Sequence, residues 1–158
     1  MSEAQFLEEI RQNQSIIYKL VGLYANDAEE KKDLYQEILL QAWKSWSAFR
    51  NDSKFSTWLY RICLNTILTQ KRKPSKIDFT DSLEQHSPLV QNKATLDEDV
   101  FRLRLAIRQL AETDRAIISM NLDGYDNNEI AETMGISSNN VAVKLHRIKQ
   151  QLSNLLKQ

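Results

Sequence analysis

Six aromatic side chains, Trp43, Trp46, Phe49, Phe55, Trp58 and Tyr60, crowd into eighteen residues, and the stretch that follows ends in Lys71-Arg72-Lys73. Flat rings beside a cationic surface can stack on unpaired nucleic-acid bases while the cations hold phosphates. Rings in such a run mostly pack in a core. The stacking chemistry therefore falls to those nearest the polar break at Phe49-Arg50-Asn51-Asp52-Ser53. A second set lies near the C-terminus, where Asn139, Asn140, Lys144, His146, Arg147 and Lys149 share one helical stretch. Amide side chains can read adenine edges, and Lys and Arg can hold phosphate or guanine.

Other chemistries find little support. The one cysteine, Cys63, sits among apolar residues and reads as a buried thiol rather than a redox switch. With two histidines far apart, His86 and His146, neither a disulfide scaffold nor a Cys/His zinc site is available. The acidic pairs Asp33/Glu37 and Glu29/Glu30 come with no readable nucleophile–base pair or metal cluster, so an enzyme is disfavoured and no cofactor is expected. Three glycines and two prolines in 158 residues exclude a Gly-rich phosphate loop and disfavour folds built on many tight turns. The longest apolar runs are three residues, such as Ile38-Leu39-Leu40. A membrane span needs about 20, and no basic-then-apolar leader is seen. The expectation is a cytoplasmic protein with no direct membrane insertion.

The elements that must position these residues read as helices throughout. Phe6, Leu7, Ile10, Ile17, Leu20, Val21 and Tyr24 follow helical spacing, as do Leu34, Ile38, Ala42 and Trp46. Asp27, Glu29 and Glu30 suit the positive end of that second helix. Phe55, Trp58, Leu59, Ile62 and Thr66 mark a third, stopped by Pro74. Val100, Leu103, Ala106, Ile107 and Leu110 mark a fourth, and Ala116, Ile117 and Met120 a fifth that ends near Gly124. The stretch 126–145 then has the pattern of a helix-turn-helix. Asp126 and Glu129 form a capping box, Ala131 is small where helices cross, and Gly135 turns the chain. Ile136 plugs the angle, Ser137 or Ser138 caps the second helix, and Val141 and Leu145 return to the core.

Charge is segregated although its total is zero. Residues 53–77 hold six bases and no acid, and residues 136–158 hold four bases and no acid. Between them, residues 78–99 hold six acids and only Lys93. Two acid-free basic blocks are what two anion-facing surfaces require. The stretch from Pro74 to Asp97 shows no sustained period and reads as a flexible acidic linker.

On these residues the chain resembles the extracytoplasmic-function group of bacterial RNA polymerase sigma factors, within the sigma-70 family. The resemblance is carried by Asp33-Leu34-Tyr35-Gln36-Glu37 followed by Trp43, by Phe49-Arg50-Asn51-Asp52-Ser53-Lys54-Phe55, by Ser56-Thr57-Trp58-Leu59-Tyr60-Arg61-Ile62 with Asn65, and by the helix-turn-helix. It implies an all-α chain of two small helical domains: a sigma-2 bundle over 1–73, a linker over 74–97 and a sigma-4 domain over 98–158. Core RNA polymerase is implied to bind Asp33, Leu34, Gln36 and Glu37. The loop Phe49, Arg50, Asn51, Asp52 and Ser53, with Trp58, Arg61 and Asn65, is implied to capture a base flipped from the minus-ten promoter element. Lys71, Arg72 and Lys73 would hold phosphates there. Ser138, Asn139, Asn140, Lys144, Arg147 and Lys149 are implied to meet the minus-thirty-five element.

Melting would then be selection of unpaired bases, without ATP or covalent chemistry. An anti-sigma factor is a further implied partner. The chain departs from the family where Ala142 and Val143 replace a basic residue and a serine, where Lys144 replaces an arginine, and where Asn139-Asn140 replaces Gly-Thr. Fewer fixed cations imply modest upstream affinity. The competing expectation is a stand-alone helix-turn-helix regulator that binds duplex operator without polymerase.

Overall fold

The computed structural model describes residues 2–50, 52–72 and 95–157, with 95–97 described by their backbone alone. Asn51, Lys73 and nearly all of the segment read as linker lie outside the described residues. The chain divides into two compact units.

The first unit holds α1 (Glu3–Gln12), α2 (Gln14–Tyr24), α3 (Ala28–Ser45), a 3-10 turn (Trp46–Ala48) and α4 (Phe55–Arg72). The periodicity from Phe6 to Tyr24 suggests one helix, but Asn13 breaks it. Its backbone N–H donates to both Glu9 O and Ile10 O, and its side-chain amide donates to Glu9 O at 2.8 Å. An Asn that bonds the preceding turn with its own side chain offers the backbone an exit from the helix. Reciprocal bonds between Ser2 and Gln5 start α1, and Asp27 caps α3 by accepting from Glu30 N–H at 2.7 Å. Ile17, Leu20, Ile38, Ala42, Leu59, Tyr60, Cys63 and Ile67 are fully enclosed where α2, α3 and α4 meet.

The second unit holds α5 (Thr95–Arg108), α6 (Glu112–Leu122), α7 (Asn127–Met134) and α8 (Ser138–Leu156). Helix α5 begins at Thr95, inside the stretch read as linker. Val100, read as a core position, is exposed there along with Phe101 and Leu105. The core is Leu110, Ala116–Met120, Ile130, Val141, Leu145, Ile148 and Leu152. Asp126 and Glu129 exchange the two bonds of the capping box at 2.8 and 2.9 Å. Gly135 ends α7 at φ 74°, and its N–H and that of Ile136 both return to Ala131 O. A left-handed residue here redirects the chain in one step. Ser137, not Ser138, caps α8, accepting from Asn140 N–H at 3.0 Å.

Candidate nucleic-acid and polymerase interface

On α3, Asp33 and Gln36 are exposed and Glu37 is half-buried, accepting from the Gln41 amide at 2.9 Å. Residues three and four apart share a helix face, and the same face continues through Leu40, which is 45% exposed. Sequence reading missed Leu40, although its place one turn beyond Gln36 was a usable signal. Trp43, also exposed, lies at the edge of an open apolar groove with Phe6, Leu7, Ile10 and Leu39. Leu34 requires correction. It is 4% exposed and lines up with Ile38 and Ala42 on the buried stripe, so it anchors α3 and presents nothing to a partner.

The aromatic run folds into one cluster. Phe49 stacks on Trp46 with centroids 5.7 Å apart and planes 18° apart. Phe49 also meets Trp58 at 5.1 Å, and Phe55 meets Trp58 at 5.2 Å. The Phe49 ring is buried, so in this state it pins the start of the loop instead of offering a free face; the sequence reading of Phe49 as a base contact holds only if the ring swings out. Arg50 and Asp52 are exposed, and Ser53 is half-buried with its hydroxyl donating to Lys54 O. Trp58, Arg61 and Asn65, spaced along one side of α4, present a half-buried ring, a half-buried guanidinium and an exposed amide. Arg72 continues that side and is exposed. Lys71 does not. Its ammonium reaches back to Glu30 at 2.7 Å in a largely shielded pair that ties α4 to the start of α3. It is therefore corrected from a phosphate contact to a clasp between helices.

Two polar groups in this unit are strained by burial. Lys19 on α2 holds its ammonium 5.5 Å from the centre of the buried Tyr60 ring, and burial pushes its pKa down to about 8. Trp46 Nε1 is enclosed and makes no hydrogen bond. An unpaired buried donor costs about 1–3 kcal/mol. Cys63 is fully buried, and desolvation pushes its thiol pKa far up, which makes it unreactive.

On α8, Asn139, Asn140 and Arg147 are exposed on the side away from Val141, Leu145 and Ile148, and Lys144 is half-buried at the border between that side and the core stripe. Val143 stands among them, 57% exposed. Sequence reading noted it only as a departure. Its exposure puts an apolar side chain on the polar side of α8. Ser138 is half-buried at the start of the helix. Lys149 is corrected. At about 100° per residue it lies half a turn round the helix from Asn140, and it borders a groove with Leu103, Leu122 and Leu152. It therefore faces away from any groove that Asn140 enters.

Among the described residues no group of three or more His, Cys, Asp and Glu side chains is gathered for a metal ion, and no helix is long and apolar enough to cross a membrane. A bundle with a polar helix face and a loop-capped aromatic cluster, followed by a helix-turn-helix, defines a helical DNA-directed transcription factor. Sequence comparison narrows the class. The family described as Sigma-70 region 2 matches residues 10–77, and Sigma-70 region 4 matches residues 101–152. The ECF RNA polymerase sigma-E factor of Escherichia coli is 31% identical over 139 residues, covering 77% of this chain and 71% of that protein. The ECF sigma factor SigM of Mycobacterium tuberculosis is 26% identical over 151 residues, covering 96% and 76%.

The chain belongs to the sigma-70 family, in its extracytoplasmic-function group. It is a sigma factor, and the match to region 2 disfavours a stand-alone regulator. Solved structures share the fold. Bartonella quintana RpoE, crystallised with the anti-sigma factor NepR, superposes with a TM-score of 0.74 at 22% identity over 97% of both chains. CnrH, in complex with the cytosolic domain of CnrY, gives 0.70 at 19% identity over 99% of this chain and 90% of its own.

Proposed function

We propose that this sigma factor docks on core RNA polymerase through the α3 face of Asp33, Gln36, Glu37 and Leu40. It then opens promoter DNA by capturing a flipped minus-ten base at the Phe49–Ser53 loop, beside Trp58, Arg61 and Asn65. Arg72 holds the neighbouring phosphates. The exposed side of α8, with Asn139, Asn140, Val143, Lys144 and Arg147, enters the major groove at the minus-thirty-five element. The regions 1–73 and 95–158 act as two promoter-gripping domains, with the chain between them as the tether, since α5 begins at Thr95.

The observation that carries this reading is the separation of roles on two helices. On α3 the polar residues face solvent while Leu34 and Ile38 face the core. On α8 the amides and Arg147 face solvent while Val141 and Leu145 face the core. Each step of DNA opening costs about 1.4 kcal/mol of stacking, and a site that accepts only unstacked bases returns part of that. The phosphoryl-transfer chemistry belongs to polymerase, and this chain acts as a specificity subunit in the cytoplasm. The two structural neighbours were solved with an anti-sigma factor and with a cytosolic partner domain. We assign this chain a partner of the same kind, one that covers the polymerase-docking face.

The test is runoff transcription with purified core polymerase on a promoter library. A double change of Asp33→Ala and Gln36→Ala is expected to abolish core binding while helix content by circular dichroism stays intact. Unchanged core affinity would refute the docking assignment.

A further inference from the structure

Lys71 and Glu30 are joined across forty-one residues of chain, with Lys71 Nζ 2.7 Å from Glu30 Oε2 and the two side chains 16% and 31% exposed. Fully exposed ion pairs contribute little, but this one is largely shielded and its carboxylate is held on both oxygens. Glu30 Oε1 accepts from the Asn26 N–H at 2.8 Å, and the Glu30 N–H donates to Asp27 at 2.7 Å. The carboxylate also stands in the first turn of α3, at the positive end of that helix dipole. Glu30 is therefore a fixed anchor, and Lys71 is the group that reaches to it.

What it anchors is the end of α4. Ile67 is the last buried residue of that helix, and Leu68, Thr69, Gln70, Lys71 and Arg72 are half-buried or exposed. The last four carbonyls of a helix have no partner within it, and a final turn without a buried side chain opens first. Residues 53–77 hold six bases and no acid, so no neighbour along the chain supplies a carboxylate for Lys71. At about 100° per residue, Arg61, Asn65 and Arg72 fall within about 20° of one line along α4, and Lys71 lies about 100° round from Arg72. With the turn helical and Lys71 directed to Glu30, Arg72 stays in line with Arg61 and Asn65.

We propose that Glu30 is a positioning residue for promoter binding. Through Lys71 it keeps the last turn of α4 helical, so that Arg72 meets the phosphates beside the minus-ten element already in line with Arg61 and Asn65. Glu30 itself touches no DNA. Without the clasp the turn has to be ordered as DNA binds, and that ordering lowers the affinity. The inference rests on the reading of Arg72 as a phosphate contact.

The decisive variant is Glu30→Gln, which keeps an acceptor for the Asn26 N–H and removes the charge that holds Lys71. A second, Lys71→Met, keeps the apolar stem and removes the ammonium. Each is made in the full chain, and Glu30→Gln is also combined with Arg72→Ala. Amide hydrogen exchange in the free chain is expected to quicken at 69–72 in both variants, while the buried middle of α4 keeps its protection. Holoenzyme assembled with core polymerase is then offered a promoter fragment that the wild type selects from the runoff library. Both variants are expected to bind it about tenfold more weakly, equivalent to about 1.4 kcal/mol and the scale of ordering one residue. Lys71→Arg, which can rebuild the clasp, is expected to bind as the wild type does. In the Arg72→Ala background the loss from Glu30→Gln is expected to vanish.

Charge alone predicts the opposite sign for Glu30→Gln, because removing an acid beside DNA tightens binding. Equal or tighter binding by that variant therefore overturns the inference. A loss that persists in the Arg72→Ala background overturns it too, because Glu30 then acts on some other contact. Unchanged hydrogen exchange at 69–72 has the same consequence, since the clasp then holds nothing in place. If Arg72→Ala alone leaves binding unchanged, the phosphate reading of Arg72 falls and takes the inference with it, which separates the two failures.

Discussion

The same chemical change, Gly to Ala, is expected to have opposite signs at two positions in this chain. Gly135 ends α7 with φ 74°, and a Cβ built there meets no atom within 4 Å. The penalty for Gly135→Ala is therefore conformational, with no steric clash to relieve, and amounts to about 1–2 kcal/mol for an L-residue held in the left-handed region. Gly22 lies inside α2, and a Cβ there also meets nothing within 4 Å. Its backbone is ordinary helix, so Gly22→Ala is expected to stabilise by about 0.5–1 kcal/mol through the smaller entropy of the unfolded chain. Gly135→Asn should fall between Gly and Ala, because Asn tolerates the left-handed region.

Urea unfolding of the full chain, followed by far-ultraviolet circular dichroism, measures both, with each variant compared on the transition of its own unit. If the two Ala variants shift stability in the same direction, the separation of strain from entropy is refuted. A loss at Gly135 well above the stated range would mean that the elbow carries contacts besides its backbone conformation. Because Gly135 sets how α8 leaves α7, the same variant is expected to weaken binding to duplex upstream DNA more than it weakens single-strand capture.

Lys19 makes the stability of the chain depend on pH. Its folded pKa of about 8 lies below the ordinary 10.5, so between those values the unfolded state binds more protons and stability rises with pH. Replacing Lys19 with Met should flatten that part of the profile, and a slope that survives the change would assign it to another group. On α8, Arg147→Ala should weaken upstream duplex binding and reduce its salt slope by about 0.9, whereas Lys149→Ala should leave both unchanged. Fluorescence anisotropy over a salt series measures each, and equal losses would contradict the placement of Lys149 across the helix from Asn140.

Much of the architecture was legible before any coordinates. Local signals marked the helix ends: Asp126 with Glu129, the acids Asp27, Glu29 and Glu30 at the start of α3, and Gly135 at the turn all act on their near neighbours, and each stands at a helix end in the structure, where Asp27 proves to be the cap. The apolar stripe of α3 and the paired Val141 and Leu145 of α8 were equally visible, because a helix repeats its faces at a known interval. The break at Asn13 was not, because apolar periodicity runs through it unbroken and only a side-chain bond to Glu9 O ends α1.

The sequence by itself therefore determined the helical class, the separation of two basic regions and the helix-turn-helix, since each rests on neighbours along the chain. Tertiary structure alone decided what each polar or aromatic side chain is free to do. Lys71 belongs to Glu30, forty-one residues away, and not to a phosphate. Leu34 belongs to the core, Lys149 to the far side of its helix, and Phe49 to the indole it covers. An ion pair, a buried ring or an unpaired donor depends on where distant segments come to rest. Local spacing brings a side chain to a face, but only packing decides what already occupies that face.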